Sequence, residues 1–363
     1  MHQTGGKFQL PESGVFDMAM NEKLSFACDY AKGAHPGILQ RMVETNMLSS
    51  AGYGLDEISE SARDRIRKAC RCENAAVEFL LGGTQTNAVM IDALLRSYQG
   101  VIAAQTGHIS VHEAGAIEAN GHKVLAIPHQ YGKLSADAVG NYLKDYYNDT
   151  NHEHMVMPGM VYLSHPTEYG TLYSRAELQA IRSVCDQYGI YLYVDGARLA
   201  YALSCPDNDV SLWDLAELCD AFYIGGTKCG ALFGEAVVIP EPEKVPHLFT
   251  IIKQHGALLA KGRLLGIQFD VLFRDDLYMH IAEPAIKAAA SIRTALREKG
   301  YHLFFESPTN QIFGVIENDA LKTLGEKVEY GFWEKYDDGH TVIRLATDWA
   351  TTEAETIALI NVL

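Results

Sequence analysis

The sequence predicts an α/β protein. A mainly parallel, seven-stranded sheet flanked by helices is expected, followed by a smaller C-terminal α+β domain. Three observations carry this. From about residue 77 to 240, short apolar strands alternate with longer helical patterns, which demands crossover connections and a parallel sheet. After residue 245 the pattern changes to long helices and then clustered short strands. The chain of 363 residues is also too long for one small domain.

The elements follow in chain order. Residues 1–24 begin MHQTGGKFQLPESG, which is polar and lacks the apolar core of a signal peptide; an N-terminal tail is expected there. Residues 25–250 form the large domain. Its candidate strands are VEFLL (77–81), VIAA (101–104), KVLAI (123–127), MVYLS (160–164), YLYVD (191–195), AFYIG (221–225) and EAVVI (235–239). The last pair is a candidate for antiparallel pairing. Among the helices, SRAELQAIRSVCDQYG has a capping box in Ser174 and Glu177. Leu178, Ile181, Cys185 and Tyr188 make its apolar stripe, and Gly189 its stop.

Residues 251–363 form the small domain. A helical region carries Leu264, Leu265, Ile267, Leu272 and Phe273. EPAIKAAASIRTALREKG follows, with apolar positions at Ala285, Ala288, Ala289, Ile292 and Leu296 and a stop at Gly300. Then come strands in YHLFFE, QIFGVIE and TVIRLA, and a last helix opened by a capping box of Thr352 and Glu355.

Composition narrows the function. Apolar residues make up 48% and charged residues 21%, close to the globular average. Lys plus Arg is 30 against 46 Asp plus Glu, a net charge of −16. That balance opposes binding to nucleic acid or an anionic membrane, so neither is expected as a partner. No apolar run is long enough to span a bilayer. The seven cysteines are odd in number and contain no CxxC pair, implying neither a disulfide framework nor a zinc ribbon. A reduced, cytoplasmic protein is expected, with no metal site.

Four constellations lie at strand ends or in loops near them, where open α/β sheets bind ligands. Gly82-Gly83-Thr84-Gln85-Thr86-Asn87 joins a strand to a helix. Glycines there admit a close ligand, and helix-start N–H groups suit a phosphate; a ligand-free tight turn is the plain alternative. Asp195 ends an apolar strand in Tyr193-Val194-Asp195-Gly196-Ala197-Arg198. It suits a metal, a base, a protonated ring nitrogen, or simply a cap. Lys228 lies among small residues in Gly225-Gly226-Thr227-Lys228-Cys229-Gly230. A desolvated lysine near another cation has a lowered pKa and forms Schiff bases; an exposed loop lysine is the plain alternative. His108, in HISVHEAGA, is a flat imidazole that suits stacking on an aromatic ligand.

Together, a phosphate-binding helix start, a stacking imidazole, a strand-end aspartate and a strand-end lysine describe a pyridoxal 5′-phosphate site. Lysine holds the cofactor covalently. Aspartate keeps the pyridine nitrogen protonated through a charge-assisted hydrogen bond.

On these residues the chain resembles the threonine aldolase and aromatic amino acid β-eliminating lyase family, PLP-dependent enzymes of aspartate-aminotransferase type (PLP-dependent transferase fold type I). The resemblance runs from about residue 25 to the end. It includes Phe26-Ala27-Cys28-Asp29 with His35-Pro36, Tyr53-Gly54, Gly83-Thr84-Gln85-Thr86-Asn87, and His108 with Glu113-Ala114-Gly115. Pro166-Thr167-Glu168 with Gly170-Thr171, Val194-Asp195-Gly196-Ala197-Arg198-Leu199, Gly226-Thr227-Lys228 and Arg344-Leu345-Ala346-Thr347 continue it. It implies that Lys228 is the Schiff-base lysine, Asp195 the partner of the ring nitrogen and His108 the stacked imidazole. Gly83 and Thr84 are then phosphate binders, Thr227 borders the cofactor, and Lys253 reaches a neighbouring subunit's phosphate. Arg198 and Arg344 hold the substrate carboxylate, Arg198 bordering the cofactor as well. The resemblance implies a homo-oligomer, dimer or tetramer, with shared active sites, acting on a small amino acid.

Two positions depart from the family pattern. Cys28 stands where many members have a serine that contacts the substrate carboxylate. Glu168 replaces a second active-site histidine, and as an acid it still takes a proton from a hydroxyl if burial raises its pKa. The activity expected is that of a low-specificity L-threonine aldolase, with Lys228, His108 and Glu168 as catalytic residues. The rival is β-elimination from a serine-like or aromatic amino acid. An aminotransferase fits the motif order less well. A non-catalytic cofactor-binding protein conflicts with the intact lysine, aspartate and arginines, and no GxGxxG supports a dehydrogenase.

Overall fold

A computed structural model describes residues 23–363. The tail expected over residues 1–24 lies outside the described residues except for Lys23 and Leu24. Leu24 and Ser25 pair with Val328 and Glu329.

All seven expected strands form, in a single sheet. They are β1 (Ala76–Leu80), β2 (Gln99–Ala104), β3 (Val124–Ile127), β4 (Met157–Ser164), β5 (Tyr191–Asp195), β6 (Ala221–Gly225) and β7 (Glu235–Ile239). Their order is β1-β7-β6-β5-β4-β2-β3. Only β7 runs antiparallel to its neighbours, β1 and β6; every other pairing is parallel.

Side chains alternate across each strand, so every central strand feeds two cores. Val161 and Leu163 of β4, Leu192 and Val194 of β5, and Phe222 and Ile224 of β6 enter one apolar cluster. Tyr162, Tyr193 and Tyr223 enter the other. Both faces are buried, which is why these strands read as continuous apolar runs. The helix α1 (Gly83–Leu94) covers the tyrosine face with Val89, Met90 and Ile91. A short helix, α2 (His108–Val111), follows β2. Helix α3 (Arg175–Tyr188) has the Ser174–Glu177 capping box and stops at left-handed Gly189.

The boundary expected at residue 250 is displaced. Helix α4 (Leu248–Gln254) packs Leu248 and Ile252 into the tyrosine-face cluster. Helix α5 (Arg263–Leu272) packs Leu265, Phe269 and Leu272 onto the opposite face. Helix α6 (Glu283–Glu298) spans both units. Its Ala285 and Ile286 join the main core, and its Ala289, Ile292 and Leu296 join a separate C-terminal cluster. An unbroken apolar stripe carries no mark of where its neighbour changes, so sequence placed the division too early.

The C-terminal unit has an antiparallel sheet of β8 (His302–Leu303), β9 (Gln311–Glu317), β10 (Gly331–Lys335) and β11 (His340–Ala346) in the order β10-β11-β9-β8. Sequence did not anticipate β10, GFWEK. It is an exposed edge strand with charges and a register shift between Phe332 and Glu334, features that protect sheet edges and hide them from pattern reading. Helix α7 (Glu353–Val362) has the Thr352–Glu355 capping box.

Candidate active site

The carboxyl ends of β1, β2, β4, β5 and β6 open on one cavity of about 360 Å³. Gly83, Thr84, His108, Glu168, Asp195, Arg198, Thr227 and Lys228 all line it. Cys28, Arg344 and Lys253 do not.

Asp195 is buried at the end of β5. Its Oδ2 accepts from the Tyr162 hydroxyl at 2.6 Å and from Asn87 Nδ2 at 3.0 Å. Its Oδ1 accepts from the Tyr223 hydroxyl at 2.5 Å and from the Ala197 N–H at 3.0 Å. Burial opposes the charged form. His108 and the hydrogen bonds from Tyr162, Tyr223 and Asn87 outweigh it and hold the carboxyl below the usual range. Asp195 is therefore a fixed anion.

Lys228 follows β6. Among the described residues its ammonium has no hydrogen-bond acceptor or ion-pair partner. Burial, and then the Arg198 charge, push its pKa down. The loop bearing it stays close to β5 because Gly225 has no side chain: a Cβ there would lie 2.5 Å from the Ala197 carbonyl oxygen. Glu235 supports the loop from β7. It accepts from the Gly226 N–H at 3.0 Å and from the Thr227 hydroxyl at 2.8 Å. Thr227 thus gives its proton to Glu235, although it also lines the cavity. Burial raises the Glu235 pKa to about 8. Cys229 is buried, which pushes its thiol up to about 12, as suits a structural residue.

His108 opens α2, and its Nδ1 lies 2.7 Å from Glu113 Oε1. Asn87 Nδ2 donates to that same oxygen at 2.7 Å. Asn87 therefore bridges the carboxylates of Glu113 and Asp195, while its Oδ1 accepts from Tyr193 at 3.1 Å. Glu168 is buried across the cavity. Its Oε1 accepts from the His108 N–H at 2.8 Å and from the Ser164 hydroxyl at 2.7 Å. Burial raises its pKa, and these hydrogen bonds only partly offset that.

Both arginines have partners within the chain. Arg198 is paired with buried Asp29, Nε to Oδ2 at 2.6 Å and Nη2 to Oδ1 at 3.1 Å. Burial opposes the Asp29 anion, but Arg198 and Lys228 bring its pKa down to about 2. Arg344 is not among the residues that line the cavity. It donates to the Ala27 carbonyl at 3.0 Å and to Gln311 Oε1 at 3.2 Å, and its buried Nε has no partner. Cys28 is half-buried in the same N-terminal segment. Lys253, on α4, sits 4.9 Å above the Tyr53 ring, outside its own chain's cavity.

The residues present fit pyridoxal 5′-phosphate. Helix α1 starts without a side-chain cap, so its first N–H groups are available to an anion. A Cβ added at Gly82 would meet nothing within 4 Å, so this wall stands open. An unpaired lysine and a fixed aspartate anion complete the donor set. This α/β scaffold and site define a pyridoxal-phosphate enzyme of the aspartate-aminotransferase type. The fold matches that of an aspartate aminotransferase from Thermus thermophilus at a TM-score of 0.68, with 13% identity over 94% of this chain and 91% of that one.

The sequence pattern of the beta-eliminating lyase family matches residues 26–317. The chain belongs to that family and is a PLP-dependent lyase. It is 30% identical to the low specificity L-threonine aldolase of Pseudomonas aeruginosa over 305 residues, 82% of this chain and 86% of the relative. A solved structure of Leishmania major threonine aldolase superposes with a TM-score of 0.90 at 44% identity, covering 93% of this chain and 98% of that one.

Sequence reading did not pick out Tyr162, Tyr223, Ser164, Glu235 or Asn310, whose Nδ2 donates to Asp29 at 3.0 Å. A signal existed for the tyrosines. A hydroxyl inside an otherwise apolar strand needs a partner, and the strand-end Asp195 shares their face. Glu235, an acid opening an apolar run, was a second such signal.

Proposed function

We propose that this lyase cleaves L-threonine and L-allo-threonine to glycine and acetaldehyde by retro-aldol scission of Cα–Cβ. The observation that carries this is Glu168, a buried carboxyl with a raised pKa in the same cavity as Lys228 and Asp195. The bound cofactor supplies an electron sink for the pair released at Cα. Lys228 would anchor that group, and Asp195 would hold its ring nitrogen protonated. Gly83 and Thr84, at the start of α1, would hold its phosphate, and His108 would stack on its ring. The Arg198 edge left free by Asp29, with Arg344, orients the substrate carboxylate. Glu168 takes the β-hydroxyl proton, the O–H electrons become the aldehyde C=O, and Cα is reprotonated to give glycine.

The relatives named threonine aldolases support this substrate. The test is to incubate the PLP-loaded protein with each amino acid and identify products by NMR. Glycine plus acetaldehyde is expected. Glu168→Gln should lower kcat by about 10²–10⁴-fold, the usual worth of a positioned base. A neutral Glu168 could instead protonate a departing β-hydroxyl. Ammonia plus 2-oxobutyrate would then appear and the assignment would move to β-elimination.

We also propose that the chain assembles as a homo-oligomer with shared sites. Met47 is 90% and Leu55 66% exposed, apolar side chains that a second copy would cover. Lys253, which does not reach its own cavity, would then serve its neighbour's phosphate. Sedimentation velocity should give at least the dimer mass; a monomer at micromolar concentration would defeat the assignment.

A further inference from the structure

We propose that Ser164 and Tyr162 form a hydrogen-bonded relay that couples the charge on Glu168 to the hydrogen bonding of Asp195, making Ser164 a positioning residue. The proposal deepens, and rests on, the reading of Glu168 as the base. The relay is continuous. Tyr162 donates to Asp195 Oδ2 at 2.6 Å, and its oxygen lies 3.3 Å from Ser164 Oγ. Ser164 Oγ lies 2.7 Å from Glu168 Oε1. Ser164 and Tyr162 stand two residues apart on β4, so both side chains meet the same face of the sheet.

Ser164 has one proton and two acceptors. While Glu168 is ionised, the charge-assisted bond at 2.7 Å wins over the contact at 3.3 Å. Once Glu168 has taken the β-hydroxyl proton, its Oε1 becomes a weaker, neutral acceptor. The Tyr162 oxygen, polarised by donation to an anion, then competes for the Ser164 proton. Accepting it makes the tyrosine a stronger donor to Asp195, since hydrogen bonds in a chain reinforce one another. No proton travels the length of the relay; only the serine O–H turns. The Asp195 anion is thereby held most firmly when the bond electrons need the sink.

Through-space repulsion between Glu168 and Asp195 acts in the same sense, so the test must separate the two. His108, Arg198, Tyr162, Tyr169 and Tyr173 also face the Glu168 charge and are unchanged in the comparison. The experiment is a double-mutant cycle on the substrate-free holoenzyme, reading the pH midpoint of the bound cofactor's visible absorbance. Glu168→Gln, a neutral mimic, should move the midpoint by about one unit in the native background. With Ser164→Ala the same change should move it by less than about half as much, and Ser164→Thr, which keeps the hydroxyl, should restore the full shift. Equal shifts in the native and Ser164→Ala backgrounds overturn the relay. Ser164→Ala should also raise the acid limb of kcat/KM by about one pH unit, because Glu168 loses a donor to its anion; an unmoved limb counts against the relay. Full turnover by Glu168→Gln sinks the base reading instead, and the absorbance cycle, which needs no turnover, still judges the relay.

Discussion

Replacing Lys228 with alanine is expected to remove the visible absorbance of the bound cofactor and to lower turnover by on the order of 10⁴–10⁵-fold, the scale lost when a covalently held group becomes a freely diffusing one. The fold should survive the change. Among the described residues no acceptor or carboxylate is paired with the Lys228 ammonium, so alanine orphans nothing there. The backbone carbonyl of residue 228 keeps its 2.7 Å bond from the Tyr201 hydroxyl. A partly desolvated ammonium without a partner is costly to keep, so the apo variant should resist urea at least as well as the native apo protein. Loss of the band at undiminished stability would mark the lysine as held for chemistry at the expense of stability. A variant that kept the whole band would show that another amine holds the cofactor.

Legibility followed the physics of each element. The central strands were visible because both faces are buried, leaving short apolar runs with few competing assignments. Strand β10 was invisible because its side chains are mostly exposed and it needs only a partner in β11. Within the site, Lys228, Asp195 and His108 stood out as groups that strand ends and small-residue loops do not need for packing. Their supports did not stand out. Tyr162 and Tyr223 pass for core aromatics until a register places their hydroxyls on Asp195. The pairing of Arg198 with Asp29 joins positions 169 residues apart that no local pattern connects. For the same reason the contacts of Arg344 with Ala27 and Gln311 could not be read from sequence.

Asp195→Asn is expected to cost about 10³-fold in kcat. If the ring nitrogen loses about three units of basicity without its anionic partner, the difference is about 4 kcal/mol, or a thousandfold. The variant should also be less stable. The native carboxylate accepts four donors, two on each oxygen. An amide offers one acceptor oxygen and one NH₂. With NH₂ on the Oδ1 side, Tyr223 can turn its hydroxyl to accept, but the Ala197 N–H cannot. With NH₂ on the Oδ2 side, Tyr162 can turn, but the Asn87 amide, held by Glu113, cannot. Either way one buried N–H is orphaned, costing about 1–3 kcal/mol. Tyr223→Phe separates the charge from its support. It keeps the anion but removes one donor, so the Asp195 pKa rises toward its ordinary value. Its activity should approach native at pH 8 and fall away as pH drops, whereas the Asn variant should be impaired about equally at every pH. Parallel pH profiles for the two would mean that the Tyr223 hydroxyl does not set the charge of Asp195, and that His108, Tyr162 and Asn87 maintain the anion.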